Sequence, residues 1–285
     1  MPVTTTALTP NIGVEVTDLT GTELVDPQVA DEVLALLAAH GVVVCREVHV
    51  ADADLVAFSQ LLGDVSPNPT AEHEFPEIAT ITLDPAKTRE LLAWYRQGNF
   101  IWHIDGATEA LPQRATLLTA REVDDSGGGD TEFASTYAAY DALPEAEQQR
   151  IASLQVLHSF AAAQLRAHPD ATPDERAGWD RVPTRVHPLV WSRRDGRRSL
   201  LLGATAQEVI DMDPDDGGAL LSRLEEWSTQ PQFVLRHHWR RGDLVIFDNT
   251  GLLHRAMPFE PTSPRLMHRT TLVGTEPVEQ VEVAR

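Results

Sequence analysis

Two separate segments carry side chains that could hold a metal ion. In the first, His103 and Asp105 are two residues apart in the run Phe-Ile-Trp-His-Ile-Asp. On an extended strand this spacing points both side chains to one face. A third ligand must come from elsewhere, and His254 follows a strongly apolar segment that ends at Phe247. Two histidines and one carboxylate that leave coordination positions open are the ligand set of non-haem iron(II) oxygenases.

Arginines follow the second histidine at a spacing that suits carboxylate binding. Arg265 and Arg269 lie just before a predicted strand, and a planar guanidinium binds a carboxylate through paired hydrogen bonds. A cosubstrate with a distal carboxylate needs such a group at a fixed distance from the metal. The alternative is that both arginines form surface ion pairs of little consequence.

Apolar periodicity and turn residues predict the elements that must position these groups. Helices are predicted over 27–40, 51–62, 135–153 and 217–229, with Pro144 breaking the third. Strands are predicted over 12–16, 42–44, 78–83, 115–120, 186–191, 199–202, 233–239, 244–247 and 270–273. Residues 126–130 are predicted to form a glycine-rich turn, and residues 158–182 a polar insertion with little periodicity.

Many short strands with helices concentrated near the N-terminus predict a mainly β protein with flanking helices (α+β) and a double-sheet jelly-roll core. The 285 residues are expected to form a single domain, 1–285. Within it, predicted lid segments lie near 66–76, 84–98 and 158–182. His237 and His238 would face opposite sides of a strand, so they are expected to be structural, as are His187 and His268.

Composition excludes several classes of partner. The 23 basic and 43 acidic residues give a formal net charge of −20, which repels phosphate backbones and anionic lipid surfaces. We therefore expect no nucleic acid and no membrane as partners. The single cysteine, Cys45, lies in an apolar run and is expected to be a buried, inert thiol. Without a membrane span or a signal peptide in the sequence, a cytoplasmic location is expected.

Several motifs together resemble the taurine dioxygenase/2,4-D dioxygenase (TauD/TfdA) family in order and spacing. They are His103-Ile104-Asp105, Gly128-Gly129-Asp130-Thr131, Asp248-Asn249, His254-Arg255-Ala256 and Arg265 to Arg269. The resemblance extends over nearly the whole chain and implies a double-stranded β-helix core, which is jelly-roll, cupin-like and clavaminate synthase-like. It also implies an enzyme that uses Fe(II), 2-oxoglutarate and O2 and releases succinate and CO2.

Carried over position by position, the resemblance assigns roles to eight residues. They are His103, Asp105 and His254 as iron ligands and catalytic residues, Thr131 and Arg265 as the groups that bind the distal carboxylate of 2-oxoglutarate, and Arg269, Asn99 and Phe160 as substrate-binding residues. The expected partner is a small-molecule substrate, and the expected assembly is a homo-oligomer, a dimer or a tetramer.

Arg269 predicts a small anionic substrate, such as a sulfonate, an alkyl sulfate or a carboxylate. Taurine is disfavoured because Ser66-Pro67-Asn68-Pro69 stands where the taurine enzymes place a His and a Tyr. Hydroxylation is the expected outcome, because Asp105 keeps the carboxylate that related halogenases replace.

Three alternatives remain open. The same cofactors could support desaturation or another oxidation, and a non-catalytic jelly-roll binding protein could retain the fold. A zinc hydrolase is a weaker alternative, because it has no evident use for Thr131 and Arg265.

Overall fold

A computed structural model gives the fold over residues 3–68, 73–124 and 128–278. The strands are β1 Thr4–Ala7, β2 Val14–Thr17, β3 Val42–Cys45, β4 Ala79–Ile81, β5 Ala115–Glu122, β6 Thr131–Ser135, β7 Gln155–His158, β8 Arg185–Pro188, β9 Val190–Ser192, β10 Arg198–Leu200, β11 Ala206–Val209, β12 Val234–His237, β13 Leu244–Asp248, β14 Leu252–Ala256 and β15 Leu266–Leu272. The helices are α1 Pro27–His40, α2 Asp52–Leu62, α3 Glu90–Arg96, α4 Thr136–Asp141, α5 Glu145–Ile151, α6 Phe160–Ala167, α7 Pro173–Trp179 and α8 Pro214–Ser228, with 3-10 turns at Gln97–Phe100 and Pro231–Phe233.

The larger sheet has seven strands in the order β1-β2-β3-β13-β5-β15-β4. Strands β2 and β3 pair in parallel, and the other neighbours pair antiparallel. The central strands β3 and β13 are buried along their whole lengths. Their uninterrupted apolar sequences are typical of strands that are covered on both faces.

Helices α1 and α2 cover one face of this sheet. Asp26 caps the start of α1 with its side chain, and Gly41 ends the helix in the left-handed region at φ 73°. Val33 of α1 and Phe58 of α2 belong to the same buried cluster as Ile246 of β13. Burying each such side chain contributes about 1.5–3 kcal/mol, so the amphipathic pattern of both helices determines how they dock.

A smaller sheet, β12-β6-β14, packs on the opposite face. The rings of Phe133 on β6 and Phe247 on β13 lie between the two sheets, with their centroids 5.0 Å apart. Two sheets that enclose one apolar layer, with helices outside, match the predicted jelly-roll core. No helix in the described ranges is long and apolar enough to cross a membrane.

The prediction for residues 158–182 was wrong, because this segment contains α6 and α7. Ser159 caps α6 by accepting a hydrogen bond from the N–H of Ala162. Thr172 and Glu175 form a capping box at the start of α7. Both caps are sequence signals, so local capping determined helices that the weak apolar periodicity did not reveal.

The segment from Phe100 to Asp105 is not a strand end, because His103 is its only residue that makes a β-bridge. Strand β14 was missed, although His254 lies in its middle. The predicted glycine-rich turn at 126–130 and the loop at 66–76 lie partly outside the described residues. Cys45 is fully buried, as predicted, and burial raises its pKa to about 12.

Candidate active site

His103 and His254 lie directly opposite each other in the backbone. In their isolated antiparallel bridge, the His103 N–H donates to the His254 carbonyl at 3.1 Å and the His254 N–H donates to the His103 carbonyl at 2.9 Å. Directly opposed residues place their side chains on the same face. The two imidazole rings therefore stand together, with their centroids 4.1 Å apart.

Apolar neighbours determine which way the segment around His103 faces. Trp102 and Ile104 are 7% and 3% exposed and belong to a buried cluster with Leu253 of β14. Because successive side chains of an extended chain alternate in direction, anchoring these two residues turns His103 and Asp105 the other way. Both of those residues line a cleft.

Asp105 completes the group of metal-binding side chains. Its carboxylate oxygens lie 3.9 Å from Nε2 of His103 and 3.8 Å from Nε2 of His254. Thr116 on β5 donates a hydrogen bond to Asp105 Oδ2 at 3.2 Å, and Asn249 Nδ2 donates to Thr116 Oγ1 at 2.9 Å. This relay of hydrogen bonds orients the carboxylate.

The surroundings keep these groups in the protonation states that bind a metal. Burial would raise the pKa of Asp105, but the guanidinium of Arg269 and the two imidazoles outweigh it and lower the pKa to about 2. Burial lowers the pKa of His254 to about 3, and His103 acts in the same direction. At neutral pH the carboxylate is ionised and the His254 ring is neutral, as metal coordination requires.

The donor set fits a metal ion. Nδ1 of His103 lies 2.7 Å from the Ile101 carbonyl, which can only accept, so Nδ1 donates this hydrogen bond and Nε2 is the ring nitrogen left to face a metal. One potential ligand atom from each of His103, Asp105 and His254 lies within 4.8 Å of the other two. This combination of two imidazoles and one carboxylate suits iron(II) with open coordination positions.

Arg265 and Thr131 line the same cleft. Arg265 is 4% exposed, its Nε donates to the Gly129 carbonyl at 3.0 Å, and its guanidinium packs over the Phe259 ring. Burial lowers the pKa of Arg265 to about 10, so the side chain is still charged at neutral pH. Thr131 Oγ1 accepts a hydrogen bond from Trp239 Nε1 at 2.9 Å, which leaves the hydroxyl hydrogen for another acceptor. A buried cation beside a hydroxyl donor suits a carboxylate.

The cleft combines metal-binding, cationic and apolar side chains. Its lining residues are Ile81, Thr82, Leu83, Arg96, Asn99, His103, Asp105, Leu118, Thr131, Phe247, His254, Ala256, Phe259, Arg265 and Arg269. Arg269 Nη1 lies 3.6 Å from Asp105 Oδ2, and its buried Nε has no hydrogen-bond partner within the described chain. Asn99 reaches the cleft from the 3-10 turn after α3. Phe160 is not among these lining residues, and its ring packs 6.0 Å from that of Tyr95.

A second group of metal-capable side chains consists of Asp52, His73 and His268. Asp52 lies 2.7 Å from His268 Nδ1 and 3.3 Å from His73 Nε2. The Arg121 guanidinium also contacts Asp52. That cation already balances the carboxylate and would repel a metal ion, which agrees with the structural role expected for His268.

Sequence reasoning did not identify several residues that support the site. Thr116 and Asn249 orient Asp105, and Trp239 holds Thr131. A buried threonine in an apolar strand was the available signal for Thr116. The other contacts depend on strand register, which the sequence does not reveal.

Comparison with known proteins gives consistent matches over nearly the whole chain. A sequence profile described as "Taurine catabolism dioxygenase TauD, TfdA family" matches residues 4–271. An (S)-phenoxypropionate/alpha-ketoglutarate-dioxygenase of Sphingobium herbicidovorans is 30% identical over 281 residues, covering 95% of this chain and 93% of the relative. An alpha-ketoglutarate-dependent 2,4-dichlorophenoxyacetate dioxygenase of Cupriavidus pinatubonensis is 31% identical over 285 residues, covering 95% and 98%. The crystal structure of AAD-2 in complex with Mn(II) and N-oxalylglycine superposes with a TM-score of 0.81 at 28% identity, covering 98% of this chain and 100% of that one.

Proposed function

Because this chain belongs to the taurine catabolism dioxygenase TauD, TfdA family, we propose that it hydroxylates a small anionic organic substrate at an iron(II) held by His103, Asp105 and His254. The protein is an oxidoreductase that depends on Fe(II), 2-oxoglutarate (α-ketoglutarate) and O2. The observation that carries the site assignment is the meeting of these three side chains in a cleft that also contains the buried Arg265 and the half-buried Arg269.

The reaction couples two oxidations. 2-Oxoglutarate loses CO2 and becomes succinate with one oxygen atom of O2, and the other oxygen atom enters a substrate C–H bond as a hydroxyl group. Bound iron(II) supplies the redox chemistry that joins the two halves. Arg265 and Thr131 would hold the distal carboxylate of 2-oxoglutarate, and the relay from Asn249 through Thr116 would keep Asp105 aligned.

Arg269 and its apolar neighbours suggest the substrate class. A guanidinium with an unpaired buried N–H beside the metal ligands can fix an anionic group through charge-assisted hydrogen bonds. Ile81, Leu118 and Phe247 provide apolar surface for an organic body. Carboxylates with an aryl or alkyl group fit this combination best, and the two dioxygenase relatives are named for acids of this kind. Sulfonates and alkyl sulfates share the required charge.

Succinate release from matched substrates tests the proposed function. Purified protein with Fe(II), ascorbate, 2-oxoglutarate and O2 would be given phenoxyalkanoates, alkyl sulfates and sulfonates, each paired with its neutral ester or alcohol. We expect succinate release with anionic members and little with their neutral partners. Mass spectrometry should find either a product with one added oxygen atom or, where the hydroxylated carbon bears an ether or sulfate-ester oxygen, the carbonyl compound and the phenol or sulfate into which that product breaks down, whereas loss of two hydrogens would identify a desaturase. Equal turnover of neutral partners would contradict the proposed substrate class.

Arg269→Ala tests the role of the substrate arginine. Loss of one charge-assisted contact should lower kcat/KM for an anionic substrate about 10- to 100-fold, while 2-oxoglutarate affinity stays the same. Arg240→Ala is the control, because Arg240 is an exposed arginine that pairs with Glu47. An unchanged kcat/KM in Arg269→Ala would contradict the role of this residue in substrate binding. Phe160 and Asn99 remain predicted substrate contacts.

We propose a single domain with lids near 66–76, 84–98 and 158–182, assembled as a dimer or tetramer in the cytoplasm, with no nucleic acid or membrane as partner. The net charge of −20 supports the absence of polyanionic partners. Light scattering after size-exclusion chromatography measures the assembly, and a monomer at micromolar concentration would contradict it.

A further inference from the structure

Gly129 and Trp239 lie beside the two groups assigned to the distal carboxylate of 2-oxoglutarate. Arg265 lines the metal cleft and also a second cleft. Gly129 and Trp239 line the second cleft and are not among the lining residues of the metal cleft. The contacts of Gly129 with Arg265 and of Trp239 with Thr131 are therefore the route by which these two residues would affect the cosubstrate.

Gly129 provides both the space and the acceptor that direct Arg265. Its φ is +69°, and a Cβ atom at this position would lie 2.4 Å from Cδ and 2.6 Å from Nε of Arg265. The Gly129 carbonyl accepts the hydrogen bond from Arg265 Nε at 3.0 Å. A side chain here would therefore push the arginine from its path. Because a flexible side chain can move more readily than the backbone, the arginine should shift while the fold persists.

The neighbouring carboxylate pairs with other cations, so the Arg265 guanidinium can bind a ligand. Asp130 is the acidic residue whose charge acts on Arg265, but its carboxylate lies 2.8 Å from Arg236 Nε and 2.8 Å from His238 Nδ1. In the described structure, the Arg265 side chain donates to the Gly129 carbonyl and packs over the ring of Phe259. Its direction is thus determined by a backbone acceptor and a ring rather than by an ion pair.

Trp239 determines the direction of the Thr131 hydroxyl. The indole N–H can only donate, so Thr131 Oγ1 must accept at 2.9 Å and turn its own hydrogen elsewhere. The Trp239 ring is itself held edge-on against His237, with the ring centroids 4.4 Å apart. The tryptophan thereby makes Thr131 a donor toward the cleft.

We propose that Gly129 and Trp239 are positioning residues for 2-oxoglutarate, acting through Arg265 and Thr131 to aim both donors at its distal carboxylate. This inference rests on the proposed roles of Arg265 and Thr131. It assigns Gly129, two residues before Thr131, and Trp239, which follows His237 and His238, to cosubstrate binding. Neither Gly129 nor Trp239 lines the metal cleft.

Binding to the Mn(II)-loaded, full-length protein without O2 tests the inference without turnover. Calorimetry would compare 2-oxoglutarate with 2-oxopentanoate, which replaces the distal carboxylate with a methyl group. Gly129→Ala should weaken 2-oxoglutarate binding about 10- to 100-fold, and Trp239→Phe about 3- to 10-fold. Binding of 2-oxopentanoate and of Mn(II) should stay unchanged in both variants. In turnover, KM for 2-oxoglutarate should rise while kcat at saturation holds.

Gly128→Ala is the matched control for backbone strain. Gly128 also has a positive φ, +121°, but a Cβ atom there would come no closer than 3.6 Å to the neighbouring atoms. This variant should bind 2-oxoglutarate as the wild type does, and thermal unfolding will report the strain of each alanine. Trp239→Phe keeps a ring and avoids glycine strain, so it tests the inference even if Gly129→Ala does not fold.

The outcomes separate this inference from the proposed function. Unchanged 2-oxoglutarate affinity in the variants would overturn it, as would equal weakening of 2-oxoglutarate and 2-oxopentanoate. If the wild type bound both ligands equally, the distal-carboxylate roles of Arg265 and Thr131 would fail, and the inference would fall with them. Weaker binding of 2-oxoglutarate with unchanged binding of 2-oxopentanoate supports the inference.

Discussion

At the residue scale, the site depends on side chains that hold other side chains. Asp105 is ionised and half-buried, and Thr116 and Asn249 orient it from two different parts of the chain. Removal of such supporting contacts typically weakens metal binding by 10- to 100-fold. The supporting relay should therefore contribute almost as much to metal binding as the ligands do.

Thr116→Val tests the relay. Loss of the hydroxyl removes the hydrogen bond to Asp105 and should weaken Mn(II) affinity about 10-fold or more. Thr119→Val is a control on the same strand, because Thr119 is equally buried and its hydroxyl has no partner in the described structure. Calorimetric titration measures both affinities. Similar Mn(II) affinities in the two variants would rule out the relay.

Arg265→Gln tests the distal anchor directly. Replacing the cation by a neutral amide should weaken 2-oxoglutarate binding about 100-fold, because a buried charge-assisted contact is lost. Mn(II) affinity should not change, since Arg265 is separate from the proposed ligands. Anaerobic titration of the Mn(II)-loaded protein gives both values, and a strong loss of Mn(II) binding would assign Arg265 another role.

At the element scale, α3 closes one side of the cleft and is joined to the helices of the 158–182 segment. Trp94 on α3 stacks on His168 with ring centroids 3.7 Å apart and on Trp179 of α7 at 5.9 Å. Arg96 and Asn99, which follow in the chain, line the cleft. This aromatic stack therefore links the predicted lids to the substrate space.

Trp94→Ala should loosen this connection. We expect kcat/KM for the substrate to fall about 10-fold, because cleft residues lose their fixed positions. Leu91→Ala is the control, since Leu91 lies on the same helix and is 63% exposed. Steady-state kinetics and amide hydrogen exchange across α3, α6 and α7 report the result. Unchanged exchange in α6 and α7 would contradict the coupling.

How much the sequence predicts depends on whether a feature is local. Both ends of α1 were predicted correctly because Asp26 and Gly41 are local signals. The capping residues of α6 and α7 were also local but were overlooked. The pairing of His103 with His254, and the contact of Trp239 with Thr131, arise from strand register over more than 100 residues. The family resemblance predicted which residues form the site from their types and order, but it did not predict these contacts.

At the scale of the whole molecule, buried neutral histidines link stability to pH. Burial lowers the pKa of His158 to about 3, and His187 acts in the same direction. In the unfolded chain this pKa is about 6.5. Between these values the unfolded state binds more protons, so the free energy of unfolding falls as pH drops below 6.5.

His158→Asn should reduce this acid sensitivity. Between pH 6.5 and 4.5 the free energy of unfolding should fall less steeply with decreasing pH in the variant than in the wild type. The difference in slope should be up to about 1.4 kcal/mol per pH unit. His238→Asn is the control, because the His238 side chain is 75% exposed. Urea unfolding at a series of pH values gives the slopes. Equal slopes for wild type and His158→Asn would contradict the prediction.

The central claim is that one iron(II) site forms where the backbone of His103 meets that of His254. Crystals grown without O2 in the presence of Mn(II) and 2-oxoglutarate would locate the metal by anomalous scattering. We predict one peak bounded by Nε2 of both histidines and the Asp105 carboxylate, with the distal carboxylate of 2-oxoglutarate against Arg265 and Thr131. A peak at Asp52, His73 and His268 instead, or no peak at the predicted position, would contradict the claim.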